Sequence, residues 1–190
     1  DVYRVNSMDE NQILQLVASL EIASEHPLAQ AIVESANERG INTDKVEHFN
    51  AISGQGVEGL VHDKRLFFGN YKLMSEQGIS VNKESLEISQ KMANEAKTPM
   101  FFAIDGDLAA IIAVSDPIKE DSISAIKRLQ NNGIRVVMLT GDNQATAKAV
   151  AQKVVITEFF AEVLPEEKSQ KVAELQDQGE IVGMTGDGIN

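Results

Sequence analysis

The spacing of apolar residues predicts a mixed helix and strand architecture in the first 115 residues. Apolar positions three and four apart indicate two helices before residue 41, the second of them opening at Pro27. Beyond residue 46 the pattern becomes strand-like, with glycine interruptions. The predicted elements are two helices over 7–40, strands over 46–69, a short helix ending at 78, a helix over 84–97, and a hairpin of 100–104 with 108–114 around Asp105-Gly106-Asp107. This order predicts an α+β domain with an antiparallel sheet flanked by helices.

The remaining residues, 116–190, alternate strictly between strands and helices. Their strands are short continuous apolar runs, which are typical of a parallel α/β sheet. The predicted elements are a helix over 122–131, a buried strand over 134–139, a helix over 144–153, a strand over 159–161, a helix that ends at 178, and a last strand over 181–184. The change of pattern predicts two domains, 1–115 and 116–190.

Composition narrows the functions that this chain can carry. The net charge of -12 repels phosphate backbones and anionic lipids, so charge-driven binding to nucleic acids or membrane surfaces is not expected. The chain has no cysteine, which excludes disulfides and thiolate metal sites. Its longest apolar run, 108–114, is far shorter than the roughly 20 residues that span a bilayer. A phosphorylated ligand would therefore depend on local backbone N–H groups and Mg²⁺.

Two Thr-Gly-Asp triplets follow predicted strands of the second domain, at 140–142 and 185–187. Ligands of open parallel sheets bind at the carboxyl ends of strands, where Asp142 and Asp187 fall. Asp187 would suit Mg²⁺, and Lys168, at the head of a helix, could supply a point charge to a phosphoryl oxygen. One such triplet alone is ordinary turn chemistry. Two in register, with a lysine between them, indicate phosphoryl chemistry.

A glycine cluster and a His-Pro pair mark a candidate ligand site in the first domain. The cluster Gly54-Gln55-Gly56-Val57-Glu58-Gly59 has the spacing of a dinucleotide-binding loop, but strand residues follow it instead of a helix. Its glycines offer close backbone approach to a flat ligand. His26, before Pro27, can stack on a base, and Glu21 can accept a hydrogen bond from an adenine amino group. The alternative is a structural role for His26, which is the commoner role of a lone histidine.

Seven short motifs stand in a fixed order along the chain. They are SEHPLA (24–29), GQGVEG (54–59), FGN (68–70), DPIK (116–119), MLTGDN (138–143), FAEVLPEEK (160–168) and MTGDGIN (184–190). This set resembles the P-type ATPases, specifically their heavy-metal-transporting branch, of which the His-Pro motif is characteristic. The glutamate before that pair favours copper as the metal. The resemblance implies a nucleotide-binding domain, 1–115, inserted into a haloacid-dehalogenase-like parallel α/β phosphorylation domain, of which 116–190 is a part.

The resemblance also implies a role for each matching residue. Those that would line the adenine and ribose site are Glu21, His26, Gly54, Gly56, Gly69 and Asn70. Those that would face the phosphoryl group are Thr140, Gly141 and Asp142, with Lys168 and Asn190 on phosphate oxygens. Asp187 would hold Mg²⁺, and Asp116 would lie at the hinge between the domains.

The implied reaction transfers the γ-phosphoryl group of Mg·ATP to an aspartate, and hydrolysis of that aspartyl phosphate drives metal export. The implied partners are ATP, the transported heavy-metal ion, and the actuator and membrane domains of the same polypeptide. No nucleic acid is expected. The chain would be a cytosolic portion of an integral membrane protein.

The sequence departs from the family pattern in ways that limit what this chain does alone. The D-K-T-G-T stretch that carries the phosphorylated aspartate does not occur, nor does the aspartate that normally follows G-D-G-x-N. We therefore expect a fragment that is not catalytically competent alone. Val154-Val155-Ile156 also stands where a glycine-containing turn is usual. The alternatives are a haloacid-dehalogenase-like phosphatase, which should carry D-x-D before a helix, and a nucleotide-binding module without catalysis.

Overall fold

The computed structural model describes residues 1–24, 27–115 and 118–186. The chain divides into two units, Asp1–Ile118 and Lys119–Asn190. None of the helices in these described ranges is both long and apolar enough to cross a membrane.

The first unit is an antiparallel sheet of six strands with helices on both faces. Its elements are β1 (Val2–Arg4), α1 (Glu10–Glu21), α2 (Pro27–Glu38), β2 (Glu47–Ile52), β3 (Gly56–Val61), β4 (Lys64–Gly69), α3 (Tyr71–Glu76), α4 (Lys83–Asn94), β5 (Thr98–Ile104) and β6 (Asp107–Val114). The strand order is β1-β6-β5-β4-β3-β2. The predicted antiparallel sheet with flanking helices is therefore confirmed.

Neighbouring phenylalanines of β4 and β5 build the two cores of this unit. Phe68 and Phe102 are buried with residues of α1 and α2 on one face of the sheet. Phe67 and Phe101 are buried with residues of α3 on the other face. Successive side chains of a strand point to opposite faces. Because both faces are covered here, β4 and β5 carry runs of consecutive buried residues.

The hairpin between β5 and β6 turns at Asp105 and Gly106, as predicted. Both residues have positive φ, 52° and 93° respectively, which is the backbone of a tight two-residue turn. The Asp105 carboxylate also accepts a hydrogen bond of 2.8 Å from the backbone N–H of Arg65 on β4. The Asp105 carboxylate therefore links the turn to the neighbouring strand β4, in agreement with the turn predicted here.

The second unit alternates helices and parallel strands. Its elements are α5 (Ser122–Asn131), β7 (Val137–Leu139), α6 (Gln144–Lys153), β8 (Glu158–Phe160) and α7 (Pro165–Asp177). β7 and β8 pair in parallel, with Val137 opposite Glu158. Both strands are half-buried, so the predicted burial of the first was wrong. Of the three helices, only α6 has buried side chains among the described residues, which leaves the strands partly uncovered.

Two strand predictions in this unit were wrong at particular residues. Ile134 was expected to begin a strand, but its N–H donates to the Leu129 carbonyl oxygen at 3.1 Å and Gly133 has a φ of 76°. These features close the carboxyl end of α5, so β7 begins three residues later. Residues 181–184 form no strand, and Ile181 is fully exposed. An apolar run becomes a strand only where a neighbouring strand can pair with its backbone. No described strand pairs with residues 181–184.

Candidate functional site

Glu21 is a buried carboxylate at the end of α1. Glu21 is only 6% exposed, and its Oε2 atom has no hydrogen-bond partner among the described residues. Burial raises the pKa of Glu21 to about 6, because an ionised carboxylate loses hydration there, while a hydrogen bond with Ser24 acts in the opposite direction. A buried acceptor without a donor lowers the stability of the fold. Proteins often keep such groups at sites that bind a ligand.

The glycines around the β2–β3 turn allow two pieces of backbone to meet. Gly56 lies opposite Gly69 in the pairing of β3 with β4. A Cβ on Gly56 would lie 2.2 Å from the Phe68 carbonyl oxygen, and one on Gly69 would lie 2.3 Å from the Gln55 carbonyl oxygen. The sequence interpretation assigned these glycines to close approach of a ligand. The structure shows that the protein's own backbone occupies the space that a side chain would need.

Asn70 clamps this turn to the start of α3. Its side-chain amide donates to the Gly54 carbonyl oxygen at 2.8 Å, and its Oδ1 accepts from the Leu73 N–H at 3.1 Å. Its own N–H donates to the Gln55 carbonyl oxygen at 2.8 Å. Gly54 has a φ of 68°, a conformation that glycine adopts without strain. The shape of the turn is therefore set before any ligand arrives.

The carboxyl end of α1 packs against the strand that leaves this turn. The Leu20 side chain lies so close to β3 that a Cβ on Gly59 would be 2.9 Å from its Cδ1 atom. Glu21, Gly54, Gly56, Gly69 and Asn70 all belong to the first unit. His26 lies outside the described residues.

Sequence reasoning did not single out the side chain of Gln55. Its Oε1 atom is buried without a hydrogen-bond partner among the described residues, as is Oε2 of Glu21. The sequence carries no signal for this, because the burial depends on how the turn folds back on β4.

The first Thr-Gly-Asp triplet forms a compact loop after β7. The Thr140 hydroxyl donates to the Asp142 carboxylate at 2.9 Å and accepts from the Asp142 N–H at 3.1 Å. The Thr140 carbonyl oxygen accepts from the N–H of Val163, just before α7. Lys168 is half-buried in the first turn of α7. The loop with Thr140 and Asp142 thus adjoins the connection that leads to Lys168.

The second triplet is described only as far as Gly186. Thr185 and Gly186 follow a segment that forms no strand, so the predicted register of the two triplets is not observed. Asp187 and Asn190 lie outside the described residues, as does Asp116. Within the described ranges, no three histidine, aspartate or glutamate side chains come together as a metal site. Such a cluster is not required for Mg²⁺, which one or two carboxylates usually hold together with substrate phosphates.

Comparisons with known proteins agree with the family inferred from the motifs. The chain is 45% identical over 181 residues to a copper-exporting P-type ATPase of Staphylococcus epidermidis, covering 95% of this chain. It is 41% identical over 189 residues to a silver-exporting P-type ATPase of Salmonella typhimurium, covering 100% of this chain. In each case the chain spans 23% of the relative's length.

Among solved structures, the fold is similar to the catalytic domain of the CPx-ATPase CopB-B. The TM-score is 0.68 at 26% identity, covering 99% of this chain and 66% of that one. The resemblance to heavy-metal P-type ATPases is thereby confirmed. The model of the haloacid dehalogenase-like hydrolases matches residues 4–190. The chain therefore belongs to the haloacid dehalogenase-like hydrolase family.

Proposed function

We propose that the chain is the ATP-binding catalytic part of a heavy-metal-transporting P-type ATPase whose cargo is copper. The relatives support this proposal, since they are copper- and silver-exporting P-type ATPases at 45% and 41% identity. The glutamate before the His-Pro pair, at positions 25–27, favours copper over other metals. The first unit is the nucleotide-binding domain, and the second is part of the phosphorylation domain.

The observation that carries the proposal is the buried Oε2 atom of the Glu21 carboxylate, which has no hydrogen-bond partner among the described residues. A buried acceptor that lacks a donor costs on the order of 1–3 kcal/mol, and more when it is charged. The exocyclic amino group of adenine is a donor of the right kind for this oxygen. The pKa of about 6 leaves the carboxylate mostly ionised at neutral pH, so it accepts in that hydrogen bond.

The glycine turn supplies a rigid surface for the nucleoside in this proposal. Asn70 holds Gly54 and Gln55 through two hydrogen bonds of 2.8 Å each. A preorganised turn loses little conformational entropy when a ligand binds, which favours affinity. Gly54, Gly56, Gly69 and Asn70 accordingly act together with Glu21 and His26 as the adenine and ribose site.

The Thr-Gly-Asp loop is proposed to face the phosphoryl group. Hydrogen bonds between Thr140 and Asp142 hold the loop in one shape, and Lys168 brings positive charge on a neighbouring helix. Positive charge and fixed donors stabilise the dispersed negative charge of a phosphoryl transition state. Asn190 would contact phosphate oxygens, and Asp187 would hold Mg²⁺, which when bound neutralises phosphoryl charge.

The phosphoryl group would pass from ATP to an aspartate in another part of the same polypeptide, because D-K-T-G-T does not occur in this sequence. Hydrolysis of that aspartyl phosphate would drive the export of copper through a membrane domain. The actuator and membrane domains are therefore partners within one polypeptide. The chain itself would lie on the cytosolic side.

Titration of the isotopically labelled protein with ATP tests the proposal. We expect amide chemical shifts to change at Glu21, Gly54, Gly56 and Asn70, with modest dependence on Mg²⁺. GTP should bind about tenfold more weakly, because it presents a carbonyl oxygen to Glu21 where ATP presents an amino group. Changes confined to the second unit, with the amide of Gly54 silent, would overturn the assignment. Equal affinity for ATP and GTP would contradict the proposal that Glu21 accepts a hydrogen bond from the adenine amino group.

A further inference from the structure

Gln55 lies at the centre of the glycine turn with its backbone held on both sides. Its N–H donates to the Ile52 carbonyl oxygen at 3.0 Å, and its own carbonyl oxygen accepts from the Asn70 N–H at 2.8 Å. Gly69 lies so close that an added Cβ would be 2.3 Å from that carbonyl oxygen. Only the side chain of Gln55 is left to move.

The side-chain oxygen of Gln55 is buried without a donor. In the ranges that the structure describes, two buried side-chain nitrogen or oxygen atoms lack a hydrogen-bond partner, Oε2 of Glu21 and Oε1 of Gln55. Folded proteins pair nearly all such atoms, so each exception needs a cause. Glu21 already belongs to the proposed nucleotide site. Gln55 stands between Gly54 and Gly56 of the same site, so a bound nucleotide could offer hydrogen-bond donors to both residues.

We propose that Gln55 binds the nucleotide by accepting a hydrogen bond from a ribose hydroxyl. The inference rests on the proposed ATP site. A nucleoside offers the base amino group and the two ribose hydroxyls as donors, and the amino group is matched by the charged acceptor Glu21. The hydroxyls remain for the neutral acceptor Gln55, which makes this residue a determinant of ribose recognition.

The side chain of Gln55 can reach a ligand without rearrangement of the turn. The residue as a whole is half-exposed, although its oxygen is covered. The last torsion of a glutamine side chain is soft, so rotation about it brings the oxygen to the surface. Because the oxygen has no partner to lose, this rotation breaks no hydrogen bond found in the described residues.

Binding of ATP, 2′-deoxy-ATP and 3′-deoxy-ATP, measured by calorimetry, tests the proposal. The unmodified chain should bind one of the two deoxy analogues about fivefold more weakly than ATP, because that analogue lacks the hydroxyl that donates to Gln55 and one hydrogen bond is lost. In Gln55→Met, which keeps the length of the side chain, ATP and that analogue should bind equally. Gln55→Met should unfold at the same or a higher urea concentration, because the atom removed was unpaired.

Gln77→Met is the matched control, since Gln77 is exposed at the end of α3. This variant should discriminate as the unmodified chain does. If Gln55→Met keeps the discrimination, or if the unmodified chain binds all three nucleotides equally, the role of Gln55 is wrong while the ATP site stands. If Gln55→Met unfolds at a lower urea concentration than the unmodified chain, the conclusion that the Gln55 oxygen has no hydrogen-bond partner is wrong. If ATP perturbs no amide of the first unit, both proposals fail.

Discussion

Replacing Glu21 by glutamine should make the protein more stable and its ATP site weaker. The buried carboxylate has a pKa of about 6, raised from 4.5 mainly by loss of hydration. The folded protein therefore holds this proton more tightly than the unfolded chain does. Stability contributed by protonated Glu21 is fully present below about pH 4.5, is lost as pH rises through about 6, and is absent at neutral pH.

The size of the effect follows from the change in pKa. A difference of about 1.5 units, at about 1.4 kcal/mol per unit, corresponds to roughly 2 kcal/mol of unfolding free energy at pH 7. Glutamine has the same shape and no charge, so Glu21→Gln should recover up to about 2 kcal/mol at that pH. Below about pH 4.5 the two proteins should be equally stable. The same change removes the charged acceptor, so ATP should bind about tenfold more weakly.

Urea unfolding of the first unit, followed by its amide resonances at several pH values, measures this difference. Glu58→Gln is a matched control in the same sheet. The pKa of Glu58 is lowered, first by a hydrogen bond from Asn50 and then by Arg65, so this variant should lose stability at neutral pH. A Glu21→Gln protein that is less stable than the parent at pH 7, or whose gain persists at low pH, would refute the reasoning.

Two further predictions concern the backbone. Gly56→Ala should lower the unfolding free energy by at least about 2 kcal/mol, because the new Cβ would lie 2.2 Å from a carbonyl oxygen. Gly40→Ala, where a Cβ at a φ of +67° meets nothing within 4 Å, should lose only about 1 kcal/mol in the same urea experiment. Val155→Gly should gain about 1 kcal/mol, because Val155 is a β-branched residue at a φ of 62° and is 45% exposed. Val154→Gly, at a residue only 5% exposed, should instead lose stability, and the opposite order of the two valine variants would contradict the assignment of strain.

The local architecture of the first unit was largely readable from the sequence. An antiparallel sheet flanked by helices was predicted, and helices do cover both faces of the sheet. The turn at Asp105-Gly106 needs residues that tolerate positive φ, and it forms where they occur. Strand β1 was missed, because three residues carry too short a pattern and the strand exists only through pairing with β6.

The candidate site was predictable as residue types and not as contacts. Glu21 and the glycine motif were identified from their spacing, but neither the burial of the carboxylate nor the meeting of Gly56 with Gly69 was foreseen. No pattern in the sequence indicated that the side-chain oxygen of Gln55 would be buried without a partner. These properties depend on which elements pack together, and they involve residues far apart along the chain.

The sequence by itself determined the family, the order of most helices and strands, and the positions of tight turns, because these follow from short-range periodicity and from residue types that suit particular backbone angles. The tertiary structure decided which apolar runs became strands. Residues 137–139 pair with β8, whereas residues 181–184 pair with no described strand. It also decided which acceptors were left without donors. Hydrogen-bond pairing and burial are properties of the folded neighbourhood, so only the packed structure shows that Oε2 of Glu21 and Oε1 of Gln55 lack partners among the described residues.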